Sequence, residues 1–582
     1  MEELISKEEL KKFLKVQQYE KSKLADFVYN KLKLKELNEI YLKHKEKDSK
    51  SFVEGILSDL GIHFEISEED LKRIPQKGGF ILLSNHPFGA LDGLIICKTI
   101  AEKRPDFKLM ANFLLERIAP LKDMIFPVNP FETMKDKKSS VNGIRNALTY
   151  VRKGHPLGIF PAGEVAAFKL SKLNVKEKEW DQIIKFTLKC NVPVIPTYIS
   201  GTNSPLFHAL GLIHPLLRTA KLPSEIFNKK NKKVTMRIGH PIHIDDLKKM
   251  ESDHAISTYL QLKSQFLKNA PTIDSFYKKP ILGIKRKVQE ITPAIHTDLL
   301  VKEIQKLNES QLLSIVNDYR LYEIDAQQCP NLMLELGRKR EIAFRAVNEG
   351  TNKELDLDPF DLYYKHLIIW DEKNNALVGA YRLGKGDEIF SKYGFRGFYT
   401  HTLFRFKKQM ELPLYESIEL GRSFVSLEYQ KKATPLFLLW KGIFLFMERN
   451  PKYKYLIGPV SISQDFTKIS KSFIVHFSNR YLTNAFVKDL VKPRKNFIKP
   501  ILKQKKIIKL VQGLDGDIDK LDKMIQETDF GKHLPVLLKK YVGLNAQITC
   551  FNVDKKFNNC LDGFLFLDYH TIPEHIKEGL RK

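Results

Sequence analysis

Three short apolar runs, at residues 79–84, 157–160 and 194–200, stand beside stretches with helical spacing at 89–103, 139–153 and 177–190. Short buried strands alternating with helices imply an α/β domain whose strand-end loops carry function. Val234-Thr235-Met236-Arg237-Ile238-Gly239 reads as a late strand of the same domain.

The chain has 582 residues, enough for two or more domains at about 150 residues each. Residues 1–75 are rich in Lys, Glu and Leu at helical spacing and read as an N-terminal helical segment. The first α/β domain is placed at 76–275. The pattern loosens around Asn269-Ala270-Pro271, Lys278-Lys279-Pro280 and Ile291-Thr292-Pro293, so 276–310 reads as a linker. A second α/β domain follows at 311–582. Its signals are a helix at 331–348, strands at 365–370 and 376–384 with a turn at Glu372–Asn375, a strand reaching Glu419, a helix at 433–449 and a strand at Tyr455–Gly458. No internal repeat relates the halves, which implies two different α/β domains.

Lys and Arg number 96 against 69 Asp and Glu, a formal charge of +27. Such a chain is drawn to polyanions: nucleic acid, anionic lipid or an acidic protein. The absence of helix-turn-helix, zinc or RRM signatures argues against nucleic acid. Five cysteines without a CxxC pair argue against a disulfide framework or a metal site, and suit a reducing compartment. The charged N-terminus is unlike a secretory signal. No apolar run reaches about 18 residues, so membrane contact is expected to be peripheral.

The strand ends carry the chemistry. The first run leads into Ser84-Asn85-His86-Pro87-Phe88-Gly89-Ala90-Leu91-Asp92-Gly93. The second ends in Phe160-Pro161-Ala162-Gly163-Glu164, and the third contains Val192-Pro193-Val194-Ile195-Pro196. An alcohol is a weak nucleophile at neutral pH, so an imidazole must take its proton as it attacks a thioester, and a carboxylate orients that imidazole. Together the three blocks resemble the glycerolphosphate-type O-acyltransferases, with their N-H-x4-D, F-P-E-G and V-P-V-x-P signatures. The resemblance implies that His86 is the base and Asp92 its partner. It places Asn85, Gly89, Gly163 and Glu164 in substrate binding, with backbone N–H groups near Gly89 and Gly93 facing an oxyanion or phosphate. Here five residues separate His86 from Asp92, one more than the signature has, and Glu164 falls two places late.

The second half holds Arg340 and Phe344 one helical turn apart. It also holds Asp358 and Asp361 in an acidic stretch, Arg382 on a strand, and Glu419 with Arg422. This ordered R-x3-F, D-x2-D, G-A-Y-R-L and E-x2-R set resembles the ornithine-lipid-type N-acyltransferases and, more distantly, acyl-homoserine-lactone synthases, both GNAT-like. The tail segments Leu534–Tyr541, Gly543–Cys550 and Asp562–Leu567 extend the resemblance. It implies that Arg340, Phe344, Asp358, Asp361, Arg382, Glu419 and Arg422 line or brace the acceptor and thioester site. Carboxylates suit a cationic amino acid, ornithine being the first expectation, and an arginine can grip its α-carboxylate bidentately. The catalytic base is left open between these carboxylates.

The fused pair resembles the bifunctional ornithine-lipid synthases. That resemblance implies N-acylation of an amino acid with a 3-hydroxyacyl thioester, then O-acylation of the 3-hydroxyl, on the cytoplasmic face of a bacterial inner membrane. No tightly bound cofactor is expected. The donor is an acyl thioester, on acyl carrier protein or coenzyme A; the lack of a glycine-rich pyrophosphate loop favours the acidic carrier protein. An anionic membrane surface and a lyso-aminolipid are the other expected partners. The basic-apolar stretch Val491–Lys506 suits a lipid interface. Two alternatives compete: a lysophosphatidic acid acyltransferase with a regulatory GNAT-like module, and a basic scaffold without turnover.

Overall fold

The computed structural model describes residues 29–30, 32–128, 137–165, 167–169, 174–176, 179–213, 221–222, 224–230, 233–268, 288–483, 485–498, 504–555 and 557–581. The chain divides into two compact units, Met1–Pro271 and Thr272–Lys582.

The first unit is built on a seven-stranded sheet. Its strands are β1 (His63–Glu65), β2 (Ile81–Ser84), β3 (Lys108–Asn112), β4 (Ile125–Val128), β5 (Leu157–Ile159), β8 (Val194–Ile199) and β9 (Lys233–Ile238), and β6 (Ala167–Lys169) with β7 (Asn174–Lys176) form a separate hairpin. The spatial order is β1-β9-β8-β2-β5-β3-β4. Every pairing is parallel except β8 with β9. All four residues of β2 are buried, as expected for a central parallel strand covered on both faces. Helices Ala90–Ala101, Lys137–Arg152 and Asp181–Cys190 answer the helical spacing of the sequence.

The N-terminal segment is not separate from this domain. Strand β1 joins the sheet beside β9. Helices Leu34–His44 and Ser49–Asp59 place Tyr41, Phe52, Val53 and Leu57 in the same core as Leu82, Ile95, Ile96 and Met236. Their apolar faces need the sheet's helices to cover them, which is why they fold with it. Residues 1–28 lie outside the described residues.

The second unit holds an eight-stranded, mostly antiparallel sheet in the order β10-β11-β12-β13-β15-β16-β19-β18. The strands are β10 (Leu312–Val316), β11 (Tyr319–Asp325), β12 (Lys365–Asp371), β13 (Ala376–Lys385), β15 (Ser417–Val425), β16 (Tyr455–Ile462), β18 (Gln547–Asp554) and β19 (Cys560–Asp568). A two-stranded ladder of β14 (Phe404–Phe406) and β17 (Val491–Pro493) lies apart from it. Helix Pro330–Ala346 packs through Leu332, Met333, Leu336 and Ala343 on Ile368, Trp370 and Ala380.

Much of the expected linker belongs to this unit. Residues 269–287 lie outside the described residues, but from 288 the chain is folded. Leu300 and Ile304 enter the core. Glu303 accepts hydrogen bonds from the backbone of Asn331 and Leu332 at 3.0 and 2.8 Å. It thereby satisfies the open N–H groups of a helix that starts on Pro330. Strand β15 also begins near Glu419 rather than ending there.

One ion pair ties the first unit's edge together. Buried Asp70 accepts from Arg237 Nε at 2.6 Å, Arg73 Nη1 at 2.8 Å and the Ile238 backbone at 3.0 Å. Asp70→Ala strands the buried Arg237 guanidinium. It is expected to destabilise this unit by about 3–5 kcal/mol, measured by chemical denaturation with hydrogen exchange in β9 as the local probe.

Candidate active sites

In the first unit, β2 lies between β5 and β8. That order brings the first two sequence blocks together at the C-terminal ends of neighbouring parallel strands, while Val192–Pro196 leads into β8 at its opposite end. His86 follows β2, and its ring stacks on Phe160, which follows β5, with centroids 4.0 Å apart and planes 24° apart. His86 Nδ1 lies 2.9 Å from Asp92 Oδ2. The extra residue between them is absorbed at Gly89, whose φ of 95° turns the chain into helix Ala90–Ala101. A side chain there meets a disfavoured backbone, and its Cβ falls 2.9 Å from Leu222 Cδ2.

Asp92 is wholly buried on the first turn of that helix. Its Oδ2 also accepts from the backbone N–H of Phe88 and Gly89, at 2.8 and 3.0 Å. The carboxylate thus fixes the turn and the imidazole together. This corrects one expectation, because the Gly89 N–H is turned inward onto Asp92 rather than toward an oxyanion. Asn85 differs from expectation as well. Its amide donates to Ile199 O at 2.8 Å and accepts from Ile199 N at 2.6 Å, pinning β2 to the end of β8. It is a positioning residue with both polar ends engaged by backbone. Gly163, at φ 66°, and Glu164 are exposed in the turn after β5, which leads toward the β6–β7 hairpin and not into a helix.

In the second unit the arginines and aspartates converge in a buried network. Arg340 donates to Asp361 at 2.8 and 3.1 Å and to Asp356 Oδ2 at 3.0 Å. Arg382 Nη1 donates to Asp358 at 2.7 Å and Asp361 at 3.1 Å. Arg422 Nη2 reaches Asp358 at 3.3 Å. Burial works against ionising Asp361, but the Arg340 and Arg382 charges outweigh it and hold its carboxyl well below the usual range. Buried His366 donates from Nε2 to the backbone Asp361 O, 2.9 Å away, and burial lowers its imidazole to about 4. The carboxylates offered by sequence to a cationic amino acid are therefore paired inside the protein, and that argument for ornithine falls.

Glu419 is 1% exposed and accepts from the backbone N–H of Tyr399 and Thr400 at 2.9 and 2.7 Å and from the Tyr364 hydroxyl. Burial raises its carboxyl above the usual range although these donors oppose it. It braces the turn that carries Tyr399. The Tyr399 ring lies 5.3 Å from the Arg382 guanidinium and 5.1 Å from that of Arg422. Phe344 is farther out: its ring meets Phe557 edge-on at 6.5 Å, and Phe557 lies 4.2 Å under Arg422.

Backbone geometry opens a gap beside this network. Strands β15 and β16 pair only from Ser417↔Tyr455 to Glu419↔Ile457. Beyond that point β15 continues along β13 to Val425, and β16 along β19 to Ile462. Arg422, at φ 53°, falls in a bulge of β15 between Gly421, opposite Arg382, and Phe424, opposite Ala380. The two strand edges facing the wedge are unpaired with each other.

Asp562, on β19, had been quoted in sequence without a role. It is 2% exposed, and its Oδ1 accepts from Ser461 Oγ at 2.7 Å. Burial, and the charges of Asp554 and Glu349, push its carboxyl up to about 7 against that hydrogen bond. Glu349 is raised to about 7 by its own burial and by Asp465. The available signal was an aspartate in an otherwise apolar run, Cys560-Leu561-Asp562-Gly563-Phe564-Leu565. Tyr364 and Tyr399 were missed because only the fold brings them to the arginines.

Comparison with known proteins agrees with this division. Residues 24–274 match the family described as "Acyltransferase", and residues 340–440 match the "Acetyltransferase (GNAT) domain". A glycine N(alpha)-acyltransferase of Phocaeicola vulgatus is 32% identical over 281 residues, 45% of this chain and 83% of the relative. That of Bacteroides thetaiotaomicron is 30% identical over 280 residues, 45% of this chain and 80% of the relative. A lyso-glycine lipid O-acyltransferase of Bacteroides thetaiotaomicron is 24% identical over 216 residues, 36% of this chain and 76% of the relative. The chain therefore belongs to the acyltransferase family of these relatives, as an acyltransferase enzyme that joins an acyltransferase domain to a GNAT domain.

Proposed function

We propose that this enzyme makes a doubly acylated aminolipid, the GNAT unit N-acylating an amino acid and the first unit O-acylating the product. One observation carries the reading. A single chain is similar both to a glycine N(alpha)-acyltransferase and to a lyso-glycine lipid O-acyltransferase. The acceptor proposed is glycine rather than ornithine, because the aspartates of the network are matched by arginines.

In the first reaction the amine attacks the carbonyl carbon of a 3-hydroxyacyl thioester. A C–N bond forms, the C–S bond breaks, and the thiolate leaves. The unpaired edges of β15 and β16 suit an extended thioester arm bearing amide groups, which would take up their open N–H and C=O groups. In the second reaction His86 accepts the proton of the 3-hydroxyl at Nε2, since Nδ1 faces Asp92. The alkoxide oxygen forms the ester as the C–S bond of a second thioester breaks, and His86 returns the proton to the departing thiolate. Acyl carrier protein is the proposed donor, and the +27 charge supports it, since the carrier is acidic.

Membrane contact is the proposed source of the lyso-lipid. No described helix is long and apolar enough to cross a membrane. Lys492, Arg494 and Lys495 are exposed beside Ile498, itself 79% exposed. This is the mixture an anionic lipid surface attracts.

Lipid mass spectrometry of a bacterium lacking aminolipids tests the function. Wild type is expected to yield a diacylated glycine, and His86→Ala a monoacyl amide alone. Accumulation of phosphatidic acid without aminolipid would instead support the lysophosphatidic acid acyltransferase reading, and a diacylated ornithine would restore the cationic acceptor. Asp92→Asn, assayed with purified lyso-lipid, is expected to lower O-acyl transfer by roughly 10²–10⁴-fold. Replacing Lys492, Arg494 and Lys495 by serine is expected to weaken co-sedimentation with phosphatidylglycerol vesicles and leave that with phosphatidylcholine vesicles unchanged.

A further inference from the structure

Arg382 is 1% exposed, and its guanidinium is only half engaged. Nη1 is held by Asp358 and Asp361. Nε and Nη2 have no hydrogen-bond partner among the described residues. These two N–H groups form one edge of the planar fork, the edge that fits both oxygens of a carboxylate. Buried donors are nearly always satisfied, so a pair left open beside three aspartates points to a ligand. Aromatic rings of Phe360, Tyr364 and Tyr399 lie 5.7, 5.1 and 5.3 Å from the guanidinium carbon.

The open edge faces Gly421. A Cβ built on this partly exposed glycine meets only Arg382 Nε and Nη2 within 4 Å, each at 3.9 Å. A methyl-sized space therefore lies on the fork, at the mouth of the β15–β16 wedge.

We propose that the acceptor amino acid binds here, its carboxylate accepting from Nε and Nη2 of Arg382 over Gly421. This rests on the reading that the GNAT unit acylates an amino acid. It deepens that reading by naming what recognises the acceptor's carboxylate.

The test uses the full chain, a 3-hydroxyacyl thioester, and two acceptors: glycine, and glycinamide, which lacks the carboxylate. Wild type is expected to favour glycine in kcat/KM on the order of a hundredfold. Gly421→Ala places its methyl in open space at ordinary contact distance, so the protein folds. It is expected to raise KM for glycine on the order of tenfold or more, to leave kcat little changed, and to narrow the preference for glycine over glycinamide. Equal use of the two acceptors by wild type, or an unmoved glycine KM in Gly421→Ala, overturns the carboxylate site. If wild type acylates neither amine, the N-acyltransferase reading itself fails and the carboxylate site with it.

Discussion

A single buried carboxylate organises the second unit. Asp361 receives Arg340 on both of its oxygens and Arg382 on one, and its own helical turn is closed by the Asp358 backbone N–H at 2.8 Å. Taking ions out of water is costly, and breaking such a set by removing one member leaves a charge unmatched. The three aspartates and three arginines are therefore mutually dependent. Their arrangement holds Arg382 by one end only. An arginine fixed at Nη1 has a defined direction for its other edge, which a flexible surface arginine lacks. On the proposal above, stability and recognition are two uses of one guanidinium.

The first unit solves a similar problem with fewer charges. Asp92 gathers the Phe88 and Gly89 N–H groups at the start of a helix, where the helix field already favours a negative charge. The same oxygen faces His86. The turn that places the histidine and the group that orients it are thus one structure. The extra residue relative to the family spacing is tolerated because glycine supplies the positive φ at position 89.

The sequence made the strand-end logic of the first unit legible, since apolar runs and their flanking blocks are local features. Three strands of the seven-stranded sheet escaped notice: β1 hides among lysine-rich helices, and β3 and β4 mix buried with half-buried positions instead of forming a wholly buried run. In the second unit, residue types were legible and their contacts were not. Arg340, Asp358, Asp361, Arg382 and Arg422 were all singled out, but charge spacing cannot say whether a carboxylate meets a substrate or an arginine. That decision is made by tertiary packing, which sends the aspartates inward. Asp562 shows the reverse case. Its neighbours come from β16, β18 and the end of a distant helix, so no window of sequence contains the cause of its raised proton affinity.

In the function proposed above, the two units also divide the chemistry of nucleophiles by depth of burial. An alcohol carries a proton that a neutral imidazole can accept during attack, and His86 keeps 17% of its side chain exposed beside a charged partner. An ammonium must lose a proton before it has a lone pair, and an ordinary carboxylate is too weak a base for that. Burial with like charges strengthens it, which is the environment of Asp562. The same bookkeeping locates the basic surplus. The buried arginine–aspartate network is balanced three against three, so it adds nothing to the net charge of +27. The excess lies outside it, where long-range attraction to an acidic carrier or an anionic bilayer acts before any contact forms.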